Sequence, residues 1–482
     1  MAQPEDMQAV HFGPVLYFLG AADGRSNVTA LIVVSSDVEP PKLITEDGGV
    51  APDLIWDADG NCGYRYAFSL PMRRDSWYEV DGAIYEVNSA FEGDLRIAFV
   101  SCNGQEHGDR GRSQQDRNAL WARLVHDHER SPFQLMLHGG DQIYADELAD
   151  AHPLTQRWAN DADPDPTPVS DPLLQEAAAA LRRAFFERYV EVLSEPETAW
   201  LMARIPSVAM WDDHDICDGW GSLPVEKLDS PVGRTLFSVA RETALLFQFG
   251  VAPGSVPPIC TDPTGRSLSW HVRMPGAQVI APDLRSERRP DRVMDETGWR
   301  ALEASLSSVD DGRVFLLSSV PALGPRLSWV EAVMQLTSRM EKYEDDLRDQ
   351  WQSHAHRAEW RRFLERLIAV HENPQTPVTV ISGEIHLATR GTLEAAPGPI
   401  HQLVASGISH PEPPRAYALG LGALARLGET PVPGHSIKMH PLPGRRGIYA
   451  AQRNYLTLEG RNGHWQAVWE LEKTGKTPSL DI

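Results

Sequence analysis

Apolar residues follow two different rhythms along this chain. From about residue 9 to 90 they form short alternating or β-branched runs: VLYFLG (15–20), NVTALIVVSS (27–36), YRYAFSLP (64–71) and WYEVDGAIYEVN (77–88). Gly, Pro and Asp separate these runs, and none has a useful helical period. That pattern predicts a small antiparallel β-sandwich. The segment SAFEGD (89–94) marks the expected boundary, dividing the chain into residues 1–91 and 92–482.

Beyond it, strands alternate with helices. LRIAFVS (95–101), FQLML (133–137), PSVAMW (206–211) and PVTVIS (377–382) read as buried strands, with shorter ones at 278–280 and 314–317. Residues 116–130 carry Leu120, Leu124 and Val125 at helical spacing, and 173–205 and 328–372 are also helix-rich. Such alternation predicts a layered α/β domain. Near the end, NYLTLEG and HWQAVWELE flank Arg461-Asn462-Gly463, a hairpin signal. Two Pro-rich stretches, 160–172 and 409–447, are expected as surface loops.

The composition narrows the function. The chain has 482 residues, 42% hydrophobic and 23% charged, which suits a folded protein rather than a disordered one. Its 67 acidic against 45 basic residues give a net charge of −22, so no duplex nucleic acid or anionic membrane surface is expected as partner. Four separated cysteines (Cys62, Cys102, Cys217, Cys260) supply neither a disulfide framework nor a zinc ribbon. The opening residues lack a basic region followed by an apolar run, and no apolar stretch reaches the ~20 residues of a membrane span. A soluble, cytoplasmic monomer is the expectation.

The chemistry lies where the strands end. LRIAFV runs into Ser101-Cys102-Asn103-Gly104, and FQLML into HGGDQIYAD with Asp141 and Tyr144. PSVAMW runs into Asp212-Asp213-His214-Asp215, and PVTVIS into Gly383-Glu384-Ile385-His386. In an α/β sheet the carboxyl ends of the strands form the crevice that binds ligands. Gathering several carboxylates there is unfavourable unless cations hold them. A multinuclear metal site is therefore expected.

These four clusters, in this order, resemble the signature segments of the alkaline phosphatase D (PhoD-like) family, a branch of the metallophosphoesterases. APDLR, with Asp283 and Arg285, is similar to that family's DxR segment, and the β-rich start resembles its N-terminal sandwich. The resemblance runs from about residue 10 to 470 and is least in 391–450. It implies a metallophosphoesterase-type α/β sandwich with a small N-terminal all-β sandwich domain. It further implies that Cys102, Asp141, Tyr144 and His386 hold a ferric iron, with Asp141 bridging to a second metal. Asp213 and Glu384 would hold that second ion, Asp212 and Asp283 assisting. Hard carboxylates there suit calcium, with zinc or manganese as alternatives, whereas thiolate, phenolate and imidazole suit iron. His214 would contact phosphate or act as general acid, and Asn103 and Arg285 would contact the anion. The implied activity is hydrolysis of small phosphomonoesters or phosphodiesters by in-line attack of activated water. The sequence departs from the family at Glu384, where Asp is commoner, and in lacking a twin-arginine export signal.

Other readings of the same residues are weaker. Cys102 alone would be a small buried hydrophobe, and Asp141 alone a turn residue. Ser406 and His410 evoke a Ser-His hydrolase, but no G-x-S-x-G elbow is present. Gly475-Lys476-Thr477 has Glu470 where a P-loop needs its first glycine. The rival functions are a catalytically silent, metal-holding relative that binds a partner, and a phosphotriesterase or lipid phosphodiesterase. Leu419, Leu421, Leu424 and Leu427 would favour the lipid case.

Overall fold

The computed structural model describes residues 10–105, 111–161, 169–324 and 350–482. Parts of the helix-rich stretch expected over 328–372 (328–349) and of the loop expected over 160–172 (162–168) lie outside them. The first eight strands are β1 (Val10–Ala22), β2 (Arg25–Ser35), β3 (Leu43–Thr45), β4 (Gly48–Val50), β5 (Asp53–Ala58), β6 (Asn61–Pro71), β7 (Ser76–Val80) and β8 (Ala83–Val87). Strands β4-β3-β7-β8 form a separate four-stranded sheet. It packs on one face of β1, β2 and β6 through a core of Leu16, Val28, Ala30, Ile32, Val34, Tyr66 and Tyr78.

The other face of β2 explains its unusually apolar sequence. Leu31 and Val33 point into the main core, so the strand is buried on both sides. This happens because β1 pairs in parallel with a strand of the α/β region, at Tyr17↔Ser207. The sheet that begins before residue 91 thus continues into the one that carries the site.

The next three strands are β9 (Leu95–Val100), β10 (Leu135–Gly139) and β11 (Ser207–Met210). They are parallel neighbours, in register Leu137↔Phe99 and Leu137↔Val208, so their carboxyl ends lie together. After them come β12 (Trp270–Met274), β13 (Ala277–Ala281), β14 (Arg313–Ser318), β15 (Val378–Ser382), β16 (Thr389–Leu393), β17 (Ile400–Val404), β18 (Glu429–Val432) and β19 (His435–His440). The chain ends with β20 (Asn454–Arg461), β21 (His464–Leu471), β22 (Gly475–Lys476) and β23 (Leu480–Asp481).

Two large sheets result. One has the order β22-β21-β20-β9-β10-β11-β1-β2-β6-β5 with β23 on β21, and the other β12-β13-β14-β15-β17-β16-β19-β18. Their facing side chains share one core, in which Phe99, Leu137 and Trp465 meet Phe315, Leu317, Ile381 and Leu403. Helices cover the outer side of the second sheet. Trp299, Leu302, Trp360, Phe363 and Leu367 pack on Ile280, Val314, Leu316 and Val380. This is the layered α/β architecture expected, with continuous apolar strands because both faces of each sheet are covered.

One expectation fails. Residues 409–447 are not an irregular loop: they contain a helix, Arg415–Ala425, and the β18–β19 hairpin, which pairs onto β16 at the sheet edge. Proline and glycine punctuate elements too short to show a period. Among the described residues no helix is long and apolar enough to cross a membrane.

Candidate metal centre

Backbone hydrogen bonds stitch the strand ends into one floor. Cys102 N–H donates to Gly140 O (3.1 Å) and Asn103 N–H to Asp141 O (2.8 Å). Ala145 N–H donates to His214 O (2.8 Å), and Cys102 O accepts from His410 N–H (3.1 Å). From the second sheet, Ser406 Oγ accepts from His386 N–H (2.9 Å) and lies 3.1 Å from Cys102 Sγ. The loops approach closely. A Cβ on Gly140, whose φ is +103°, would fall 2.8 Å from Asp212 Cβ, and one on Gly383 would fall 2.5 Å from Ser101 Oγ.

Two groups of ligand-type atoms form there, each with all donors within 4.8 Å of one another: Cys102, Asp141 and His386, and Asp141, Asp213 and His214. Asp141 belongs to both. Tyr144 adjoins the first group, its Oη 3.0 Å from His386 Nε2 and 3.5 Å from Asp141 Oδ2. Cys102, Asp141, Glu384 and His386 all adopt left-handed backbone (φ 50° to 66°). For Cys, Glu and His that is a strained choice, and strain of this kind collects at functional sites.

Electrostatics sharpen the picture. Burial pushes the Asp141 carboxyl well above the usual range; Asp212, Asp213 and Asp215 push the same way, with His214 opposing. Burial also raises the Cys102 thiol, and Asp141 beside it adds to the effect. Burial alone would lower His214, but Asp146 and Asp213 outweigh it and hold the imidazole well above its ordinary value. Asp141 Oδ1 is buried with no hydrogen-bond partner among the described residues. A buried carboxylate oxygen without a donor, beside a thiol, a phenol and two imidazoles, fits a cation.

Four of the expected site residues lie outside these two groups and have protein partners of their own. Asp212 is ion-paired to Arg285 Nε and closes a capping box with Asp215, whose Oδ2 accepts from Asp212 N–H (2.9 Å). Asp283 uses Oδ1 for Trp211 Nε1 and the N–H groups of Arg285 and Ser286 (3.0 Å each), and Oδ2 for Leu268 N–H and the Ser286 hydroxyl. Five donors leave it holding a turn, outside both groups. Arg285 is 0% exposed, beside Asp212 and Asp213 (3.4 Å) and against Trp220 O. Glu384 lies outside both groups, its two oxygens accepting from Gln350 Nε2 (3.1 and 2.9 Å). Asn103 stays at the floor: its Oδ1 accepts from Trp121 Nε1 (2.9 Å) and Ser409 Oγ (3.0 Å).

Sequence reasoning gave no role to three residues that the fold brings in. Asp146 Oδ1 lies 2.9 Å from His214 Nδ1, fixing that ring, and its only signal was proximity to Asp141 and Tyr144 in GDQIYAD. His410 stacks on His386, centroids 3.4 Å apart. Gln350 clasps Glu384 from a distant segment, and nothing in its sequence context marks it.

A family described as PhoD-related phosphatase matches residues 101–344, about half of the chain. The chain is 24% identical over 427 residues to the uncharacterized protein YGR266W of Saccharomyces cerevisiae (strain ATCC 204508 / S288c). That alignment covers 74% of this chain but 60% of the relative, so the chain spans less than two thirds of the relative's length. The solved structure of PhoD superposes with a TM-score of 0.59 at 12% identity, covering all of this chain and 90% of that one, which shows a common fold. The chain belongs to the PhoD-related phosphatase family.

Proposed function

We propose that the protein hydrolyses small phosphomonoesters or phosphodiesters at a two-cation centre bridged by Asp141. The observation that carries this is the sharing of one buried carboxylate between two donor groups. Cys102, Tyr144 and His386 would complete a site for iron, and Asp213 with His214 at hand would favour an oxygen-seeking ion such as calcium on the other side. Bound cations supply positive charge to the phosphoryl oxygens and acidify the attacking water.

The chain's own groups do the rest. Asp146 holds His214 by Nδ1, leaving Nε2 as the nitrogen that can hydrogen-bond and protonate a leaving-group oxygen. Asn103 has its carbonyl oxygen spent on Trp121 and Ser409, so its amide N–H groups are the part available to a phosphoryl oxygen. Arg285 positions Asp212 and Asp213. Gln350 positions Glu384.

The test is metal content by mass spectrometry with the visible spectrum, alongside hydrolysis of p-nitrophenyl phosphate and bis-p-nitrophenyl phosphate. Iron near one per chain, with an absorption band lost in Tyr144→Phe and hydrolysis lost in Asp141→Asn, supports the reading. No bound metal, and none taken up on reconstitution, would favour the catalytically silent, partner-binding alternative.

A lipid phosphodiester is the second reading. The helix Arg415–Ala425 packs Ala418, Leu421 and Ala425 near Ile385, between Glu384 and His386, and Leu387, which follows them. Leu419 on this helix and Leu427 just beyond are 73% and 71% exposed. Leu419→Glu with Leu427→Glu should lower hydrolysis of a short-chain phospholipid and leave bis-p-nitrophenyl phosphate untouched; equal rates on both substrates would remove this reading.

A further inference from the structure

A cavity of about 370 Å³ is walled by Arg241, Arg266, Ser286, Glu287, Arg289 and Arg292. It shares no residue with either donor group. Four guanidinium groups against two carboxylates, Glu287 and Asp295, line it in a chain whose net charge is −22.

The arginines are built in, not scattered. Arg289 and Arg292 exchange backbone hydrogen bonds (2.9 and 3.0 Å), closing a tight loop that sets both side chains at the same wall. Arg289 reaches Asp229 (2.9 Å), and Arg292 lies 3.5 Å from Asp295. Arg241 is half-buried and donates to Ser286 Oγ (3.0 Å) and to Gly265 O, with no carboxylate within 4 Å among the described residues. Its direct hydrogen-bond partners are neutral, and Asp283 and Asp262 offset its charge only from farther away. Arg266 is exposed and its guanidinium has no partner among the described residues. Phe237 supplies an apolar wall, stacked on Trp220 at 5.3 Å.

We infer that this cavity is a second anion site, taking a small organic phosphate monoester: a dianion for the surplus arginine charge and an apolar group for Phe237. Guanidinium forks match phosphate oxygens in pairs, which gives the arginines a geometric as well as a Coulombic reason to be there. The volume falls within the 300–1,000 Å³ typical of small-molecule sites and exceeds what inorganic phosphate fills. The site does not depend on the hydrolytic reading, because no metal-centre residue contributes to it. It is nonetheless wired to that centre: Ser286, which Arg241 holds, also bonds Asp283, and the adjacent Arg285 grips Asp212.

The experiment is calorimetric titration with phenylphosphonate, whose carbon–phosphorus bond resists hydrolysis, and with inorganic phosphate. Both go into the wild-type protein, Asp141→Asn, Arg266→Gln and Arg292→Gln. The expected result is a phenylphosphonate site that survives Asp141→Asn and weakens roughly tenfold or more in each arginine variant. Inorganic phosphate should bind that site more weakly than phenylphosphonate. Exposed Arg266 can be changed without unfolding the chain, so its variant keeps the test open if Arg292→Gln fails to fold. Loss of binding in Asp141→Asn, unchanged affinity in Arg266→Gln, or tighter binding of inorganic phosphate at the site would each overturn the proposal.

Discussion

Asp141 and Asp212 sit at the ends of adjacent strands, both about 1% exposed, yet their surroundings differ. Asp212 is ion-paired to Arg285 and capped by its own loop. Asp141 makes no ion pair with lysine or arginine among the described residues, and its Oδ1 has no donor. At Asp212 the chain supplies a buried guanidinium as countercharge. At Asp141 the countercharge the chain offers is the His214 imidazole, while burial pushes the carboxyl well above its usual range. The two carboxylates therefore differ in what the fold provides beside them, a guanidinium for Asp212 and an imidazole for Asp141.

The largest expected effect breaks the first side. Arg285→Met leaves Asp212 and Asp213 without their buried cation, and removing one partner of a buried pair typically costs about 3–5 kcal/mol. Chemical denaturation should show a loss of that size even in metal-free protein. A loss below about 1 kcal/mol would mean that Arg285 is not the countercharge described here. On the other side the sign reverses. Asp141→Asn removes an undonated charge crowded by Asp212, Asp213 and Asp215, and should raise the stability of metal-free protein by roughly 1–3 kcal/mol while abolishing metal uptake. If both variants destabilise alike, the distinction between the two carboxylates fails.

A smaller effect tests positioning. Asp146→Asn keeps the shape but weakens the grip on His214 Nδ1. Groups that orient a functional imidazole in this way are commonly worth about 10–100-fold. Phosphodiester hydrolysis should fall by that factor with the metal content unchanged. A loss of metal instead would make His214 chiefly a ligand.

How much of this was legible beforehand follows from where the information lies. The four strand ends were readable because each buried run stops abruptly at a polar cluster; parallel pairing brings the clusters of β9, β10 and β11 together, and the packing of the second sheet on the first adds that of β15. Asp283 and Arg285 were readable as a pair but not as supports, since only the fold reveals that five donors saturate one and complete burial hides the other. Gln350 was invisible, because a lone glutamine acquires meaning only from the carboxylate it meets. Strand β1 pairing with β11 was equally hidden: period two shows which faces are apolar, not which edge joins which.

The smallest effect concerns backbone strain, and it compares the hairpin tips with the metal centre. Eight non-glycine residues with left-handed φ are described. Four of them, Asp23, Asp59, Asp81 and Asn462, each precede a glycine at a turn, the Asp-Gly or Asn-Gly pattern that tight hairpins demand. The other four are Cys102, Asp141, Glu384 and His386, which no hairpin requires. Glycine relieves left-handed strain worth roughly 1 kcal/mol, partly offset by its larger unfolded-state entropy. At Asn462, whose side chain makes no hydrogen bond among the described residues, substitution by Gly should leave stability unchanged or raise it by less than about 1 kcal/mol. Glu384→Gly gains the same relief but loses two hydrogen bonds from Gln350, about 1 kcal/mol net, so its stability should hardly move. Its effect should appear instead in metal affinity or hydrolysis. A stability loss above about 2 kcal/mol in Glu384→Gly, with metal and activity intact, would show that the Glu384–Gln350 contact serves the fold and that strain at this position marks no site.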